Sequence, residues 1–289
     1  MNYIDLHVHS NCSDGTLTPS ELVDKAVNQG LSAFALTDHD TIEGIEEAMK
    51  IANKYKSNGV DIEVIPGIEL SLAYKGRDIH MLGLLIDYKN ETFCKTLQEI
   101  KKEREDRNEK MADNLAKVGI DISIAQLKQE DKNAVITRAH FAKYLVKYGY
   151  VKNNQEAFQK YLSDDGPYYV PRKYLSPKDG IALIKLAGGI PVLAHPLLYK
   201  LPDSELDTLI HTLKENGLEG LEVIYSMNTG FDEGYLKKFV HKYDLLMTGG
   251  SDYHGANKPL IEMGIGKGNL KIPYTLLEPI EKYLDCQKG

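Results

Sequence analysis

Asp5-Leu6-His7-Val8-His9-Ser10-Asn11-Cys12-Ser13-Asp14-Gly15 is the stretch on which the reading of this chain turns. A short apolar run ends in two histidines on alternate residues, and an aspartate follows in a Ser/Asn/Gly-rich turn. Side chains of a strand alternate faces, so His7 and His9 aim two imidazoles at one point, and the turn can return Asp14 to it. Two nitrogens and a carboxylate oxygen make a metal cradle. Alone the pair is a weak signal, because histidines on a strand face are more often surface or hydrogen-bonded residues. The rest of the chain has to decide.

Its 289 residues suit one large α/β domain or two smaller ones with a substantial core. A formal charge of -7 and a pI near 5.8 argue against a nucleic-acid coat or a membrane-surface protein, while leaving room for a local basic site. Cys12, Cys94 and Cys286 are scattered and form no C-x-x-C pair, which fits a reducing compartment and no cysteine-based zinc knuckle. No apolar run is long enough to span a bilayer and no leader pattern precedes His7, so the expectation is a cytoplasmic protein with no membrane and no obligate protein partner.

Outward from the opening turn, Thr18-Pro19-Ser20-Glu21 is a capping box that starts a helix, closed by Gly30. Leu31–Leu36 reads as a buried strand running into Thr37-Asp38-His39-Asp40, and 41–58 as a helix. A strand over 62–74 meets Lys75-Gly76, a connection too short for a crossover helix, so Arg77–Ile86 should return antiparallel. With Tyr74 opposite Arg77, Ser71 faces His80, and Glu69 lies diagonally beside His80 on one face. From residue 91 to 175 the α/β rhythm stops. Helices over 93–118, 136–150 and 154–162, then a loop through Pro171, read as an inserted, mostly helical subdomain, leaving 1–90 and 176–289 as the main α/β body. Further strands end at His195 and at Ser251-Asp252-Tyr253-His254, and a helix over 274–284 closes the chain.

Strand ends therefore carry His7/His9, Asp38/His39, His195 and Asp252/His254, and the hairpin adds Glu69 and His80. Active sites of β/α barrels lie at the C-terminal ends of their strands, where such residues meet. Nine N/O ligands exceed the needs of one ion, since catalytic zinc typically uses three plus water. Two or three divalent ions bridged by Glu69 would use them all, and the His/carboxylate mix without cysteine suits manganese, iron or zinc without choosing among them. Such a cluster suits hydrolysis, in which a metal-activated hydroxide attacks a phosphoryl or acyl centre whose charge the ions neutralise.

These motifs resemble those of the PHP (polymerase and histidinol phosphatase) superfamily: His7-x-His9 with Asp14, Thr37-Asp38-His39, Pro66-Gly67-Ile68-Glu69, Ala194-His195-Pro196 and Ser251-Asp252-x-His254. The resemblance implies a distorted (β/α)7 barrel with a trinuclear centre held by His7, His9, Asp14, His39, Glu69, His80, His195, Asp252 and His254. It also implies that Asp14, His39 and His254 act beside the substrate and that Asp38 and Ser251 stand behind the ligands.

The inserted helix adds a clue about substrate. Phe93, Leu97, Ile100, Met111, Leu115 and Val118 form a three-four stripe whose gap falls on Arg104 and on Arg107 or Asn108. One reading leaves this charge-rich stretch in water. The other carries it across the barrel mouth, where an inward arginine could fork onto a phosphate, with Thr137-Arg138-Ala139-His140 offering a helix N-terminus nearby. This layout resembles the PHP branch that removes the 3′-phosphate of nucleoside 3′,5′-bisphosphates and in some members trims RNA from the 5′ end. That resemblance implies Arg107 and Arg138 as contacts of the second phosphate, with Ala139, Arg104, Asn108 and His140 matched beside them. The expected substrate is a small phosphorylated one, a nucleotide or a short oligoribonucleotide. The competing readings are a histidinol phosphate phosphatase, a metal-stabilised module without catalysis, and an amidohydrolase, for which no lysine stands out as a carbamate bridge.

Overall fold

The two-residue connection Lys75-Gly76 sets the topology. In a computed structural model of the chain, residues 2–130, 135–163, 166–170 and 175–288 are described. Strands β1 (Tyr3–Val8), β2 (Leu31–Leu36), β3 (Glu63–Tyr74), β4 (Arg77–Leu84), β5 (Ile190–Leu193), β6 (Gly220–Tyr225) and β7 (Leu246–Gly250) form one seven-stranded sheet in chain order. Only β4 runs against its neighbours, and its pairing with β3 places Tyr74 opposite Arg77, Ser71 opposite His80 and Glu69 opposite Leu82, the register expected from the turn. Because β4 reverses twice, all six other strands end on one face. The sheet curls until β7 meets β1, where Asp252 N–H donates to His7 O at 2.9 Å and His9 N–H to Tyr253 O at 3.0 Å. The fold is the α/β barrel-like sheet ringed by helices that the strand-end pattern predicts.

The described α-helices are α1 (Pro19–Asn28), α2 (Ile45–Ser57), α3 (Glu91–Ala116), α4 (Ile124–Glu130), α5 (Arg138–Lys147), α6 (Asn154–Ala157), α7 (Pro177–Leu186), α8 (Asp203–Glu215), α9 (Gly230–Tyr243) and α10 (Leu277–Lys288), with a π-helical turn at Phe158–Leu162 after α6 and short 3-10 turns at Pro196–Tyr199, Gly255–Asn257 and Tyr274–Leu276. Two expectations need correcting. The second helix begins at Ile45 rather than residue 41, because Asp40 takes a left-handed backbone conformation and 41–44 form a turn. Short helix α4 was not foreseen; its seven residues are too few for an apolar period to stand out. The loop residue Pro171 lies outside the described residues. Among the described residues no helix is long and apolar enough to cross a membrane.

Two apolar clusters serve the barrel. Ile4, Leu6, Ala33, Ala35, Ile65, Leu82, Leu84, Val192 and Ala194 fill its inside, closed off by Leu277 and Ile280 of α10. Val8, Phe34, Leu36, Ile68 and Leu70 belong to the outer layer beneath the helices. Membership thus switches along β1, from Leu6 inside to Val8 outside, across a register shift between Asp5 and Val8. An irregularity of this kind re-aims the residues after it. It lets a strand that begins by filling the core end by turning His7 and His9 inward.

A third cluster, with Met111, Leu115, Phe141, Leu145 and Leu162 at its heart, lies in the insertion. Helix α3, 26 residues or about 39 Å at 1.5 Å per residue, joins it to the barrel: Phe93 and Leu97 pack with the outer barrel layer, Met111 and Leu115 with the third cluster. Between the two, Arg104, Arg107 and Asn108 are buried on the same stripe.

The β1–β7 seam depends on a glycine. A Cβ on Gly250 would lie 2.2 Å from His7 Cβ and 2.7 Å from its backbone nitrogen. Gly250→Ala should therefore cost about 1–3 kcal/mol by overpacking. Gly234→Ala, in open space inside α9, should instead stabilise by about 0.4–1 kcal/mol. Denaturant melts of the two variants check this, and equal midpoints would contradict the seam.

Candidate metal centre

The centre assembles around one carboxylate. Glu69, on β3 and 1% exposed, presents Oε1 to His80 Nδ1 at 2.9 Å and His195 Nε2 at 3.0 Å. Its Oε2 faces His9 Nε2 and His39 Nδ1, both at 3.1 Å, and His7 Nε2 at 3.4 Å. Five imidazoles from the ends and bodies of four strands, β1, β2, β4 and β5, thus surround one acid. Next to this group, His254 Nε2 lies 3.2 Å from Asp14 Oδ1, and Asp252 Oδ1 lies 3.3 Å from His254 Nδ1, 3.5 Å from His9 Nε2 and 3.6 Å from His7 Nε2. All nine residues expected from the sequence meet here.

The chemistry of this donor set fits cations better than hydrogen bonds. His7 Nε2 and His9 Nε2 point at each other across 3.1 Å. His195 Nδ1 is buried without a hydrogen-bond partner, and Asp14 Oδ1 and His39 Nδ1 meet His254 and Glu69 without hydrogen-bond geometry, which is costly unless something else satisfies them. Three overlapping groups have donor atoms within 4.8 Å of one another: His9, Asp14, His39 and His254; His7, His9 and Glu69; His39, Glu69 and His80. Burial pushes the Glu69 carboxyl up, but the facing imidazoles of His39, His80 and His7 hold it well below the usual carboxylate range. Burial, joined by His254, brings His9 down to about 4, and burial likewise lowers His39. His7 and His80 go the other way: burial lowers both, but Glu222, Glu69 and Asp252 hold His7 well above the usual imidazole range and Glu69 raises His80, so a metal ion bound there would displace a proton.

Backbone geometry at the strand ends supports the same picture. His195 and Asp252 have φ of 28° and 58°, conformations that cost non-glycine residues of order 1–3 kcal/mol each and persist only where the surroundings enforce them. The Asp252 N–H is tied to His7 O, as above, and the His195 N–H donates to Glu222 Oε2 at 2.7 Å.

Behind the donors lies a layer of acids. Asp38 accepts from Ser10 N–H at 2.8 Å and from the hydroxyls of Ser10 and Ser13, each at 2.6 Å, and so clamps the turn that carries Asp14. The Ser251 hydroxyl and N–H donate to Asp5 at 2.5 and 2.8 Å, and Gly264 N–H donates to it at 2.7 Å, locking β7 to β1. Glu222 is fully buried, and its Oε1 lies 3.0 Å from His7 Nδ1. Through that bond it fixes the ring so that Nε2 faces the centre. Neither Asp5 nor Glu222 was singled out from sequence. Both are lone acids inside apolar strand sequences, which was the available signal.

The insertion reaches the centre directly. Val135 N–H donates to Cys12 O at 2.9 Å, and the Thr137 hydroxyl donates to Asp14 Oδ2 at 3.3 Å. A cavity of about 190 Å³ beside Asp14, His39 and His80 is lined by Arg104, Arg107, Thr137, Arg138, Ala139 and Phe158. Within it Arg138 bonds Asp78 Oδ2 at 3.0 Å and Leu162 O at 3.1 Å, and Arg104 pairs with Asp40 and with Ser71 Oγ at 3.1 Å. The structure does not bring Asn108 and His140 to this cavity. Asn108 Nδ2 donates to Ile136 O at 2.8 Å, bracing α3 against the approach to α5, and His140 Nδ1 accepts from Thr137 N–H at 3.0 Å in the α5 capping box.

Residues 5–215 match the PHP domain family. A 5′-3′ exoribonuclease of Haemophilus influenzae is 39% identical over 250 residues, covering 86% of this chain and 89% of that protein. A 3′,5′-nucleoside bisphosphate phosphatase of Chromobacterium violaceum is 33% identical over 288 residues, covering 99% and 98%. Among solved structures, a Bifidobacterium adolescentis protein assigned by prediction as a metal-dependent phosphoesterase superposes with a TM-score of 0.82 at 30% identity, over 96% of this chain and 95% of that one. With its strand-end histidines gathered around Glu69 and the family match spanning 5–215, this chain belongs to the PHP domain family.

Proposed function

We propose that this chain is a metal-dependent phosphoesterase acting on a nucleoside 3′,5′-bisphosphate or a short 5′-phosphorylated oligoribonucleotide. The observation that carries the reading is the arginine-lined cavity opening onto Asp14, His39 and His80. It supports two anion positions side by side, one at the centre for the phosphate that reacts and one among Arg104, Arg107 and Arg138 for a phosphate that does not. The names of the Haemophilus and Chromobacterium relatives support the same substrate class.

In this reading His7, His9, Asp14, His39, Glu69, His80, His195, Asp252 and His254 hold two or three divalent ions, with manganese the first choice. Bound there, the ions would activate water and neutralise charge on the phosphoryl oxygens. The protein's own residues do the rest. Glu69 and Asp252 keep the imidazoles together, Asp38 and Ser251 fix the two turns that carry Asp14 and Asp252, and Asp14, His39 and His254 border the space where the reacting phosphate sits. The arginines and the amide-rich start of α5 orient the distant phosphate. The exposed ring of Phe158, in a π-helical turn, offers a face to the base. The segment 91–175 serves as a substrate cap.

Phosphate or mononucleotide release from adenosine 3′,5′-bisphosphate and 5′-phosphorylated RNA should require added Mn²⁺ and stop on chelation, and His9→Ala should abolish it. Arg138→Ala should raise KM on both by about 10–100-fold, the worth of a charge-assisted contact, with kcat changing far less. A KM unmoved on both substrates would sink the cavity's role. Histidinol phosphate, with one phosphate, makes no use of the arginines and should be a poor substrate. Glu222→Gln should weaken Mn²⁺ binding, measured by titration calorimetry, by about 10–100-fold; wild-type affinity would show that Glu222 does not orient His7.

A further inference from the structure

The arginine cavity is not the only space that opens onto the centre. A second cavity, of about 390 Å³, is bordered by Asp14, His39 and His254 and walled by Lys143, Asn154, Asn257 and Lys258. It shares Asp14, His39 and Ala139 with the arginine cavity, so the two meet over the same candidate ligands.

We propose that this second cavity receives the part of an RNA chain that follows the scissile phosphate. The centre would then lie midway along a track, with the arginine cavity at its 5′ end and a lysine-bearing exit lobe at its 3′ end. The proposal rests on the phosphoesterase reading above and deepens it.

Substrate chemistry requires such a lobe only for RNA. With the 5′-phosphate of the first nucleotide among the arginines, its 3′-phosphate reaches the centre. Hydrolysis joins the water oxygen to phosphorus and breaks the bond from phosphorus to O3′, and O3′ leaves with a proton. The same bond breaks in a bisphosphate and in RNA, and the first product is a nucleoside 5′-monophosphate in both. The difference lies on the other side of phosphorus. A bisphosphate yields inorganic phosphate and needs no further room, whereas RNA carries the remaining chain on that phosphate and yields a shortened 5′-phosphorylated strand. That strand must leave the centre on a side the first nucleotide does not fill.

The second cavity has the size and charge for this. It has about twice the volume of the arginine cavity, as the two figures show, and falls in the range that holds nucleotide-sized ligands. Its cations come from two elements, Lys143 from α5 and Lys258 from the turn after β7. Lys258 Nζ lies 2.6 Å from Asp252 Oδ2 while its side chain stays 36% exposed, so it stands at the boundary between centre and lobe. Asn257 Nδ2 donates to the Asp14 carbonyl at 2.8 Å, which ties the lobe wall to the residue beside the reacting phosphate. Exposed lysines and amides suit a sugar–phosphate backbone without base preference.

The test compares kcat/KM, with Mn²⁺, on adenosine 3′,5′-bisphosphate and on the 5′-phosphorylated trinucleotide pApApA. Lys143→Glu and Asn154→Asp each place negative charge in the lobe, and a carboxylate at the start of α6 is compatible with the helix. In each, the trinucleotide-to-bisphosphate ratio should fall about ten-fold or more, Lys143→Arg should restore it, and the salt dependence of trinucleotide turnover should flatten in Lys143→Glu. A ratio within about two-fold of wild type, or equal losses on both substrates, would overturn the exit lobe while leaving the phosphoesterase reading intact. Wild-type protein inactive on both probes would overturn that reading, and the lobe with it.

Discussion

A single buried acid, Glu69, sets the terms for this molecule. A carboxylate removed from water is tolerated only if it is well partnered, and here its partners are five imidazoles, from His7, His9, His39, His80 and His195, of which His7 and His80 are held toward the charged form. Imidazoles crowded against one another are themselves unfavourable once charged, which is why burial and their neighbours hold His9 and His39 low. The arrangement makes sense when cations take the space between. The barrel brings these residues together at the shared end of its strands, the turn at Lys75-Gly76 supplies His80, and the shift within β1 turns His7 and His9 inward.

The insertion acts on this centre rather than hanging beside it. Its apolar core is its own, yet Thr137 reaches the Asp14 carboxylate and Val135 holds the Cys12 carbonyl. The N-cap of α5 is thereby tied to the Asp14 carboxylate. Helix α3 makes the connection stiff by packing one half on the barrel and the other on the insertion, with its buried arginines where the two cores part. The two cavities thus meet along one edge, formed by Asp14, His39 and Ala139.

Much of this was legible in the sequence because the decisive signals were local. A two-residue connection fixed the β3–β4 register, and acid or histidine residues directly after apolar runs marked the strand ends. The gap in the α3 stripe pointed to Arg104 and to Arg107 or Asn108. What escaped reading depends on tertiary distance. Glu222 and Asp5 lie within apolar strands, and their partners His7, His195, Ser251 and Gly264 are mostly far along the chain. Periodicity also could not separate Arg107 from Asn108, adjacent residues of which one lines the cavity and the other braces Ile136. His140, beside Arg138 in sequence, is taken up by the cap of its own helix.

We propose that Glu69 and the imidazoles around it would hold the divalent ions, and anomalous diffraction from crystals soaked in Mn²⁺ tests this most directly. At least two manganese peaks are expected within bonding reach of the nine candidate ligands, with Glu69 among those bound. A single peak, or peaks that leave Glu69 uncoordinated, would contradict it.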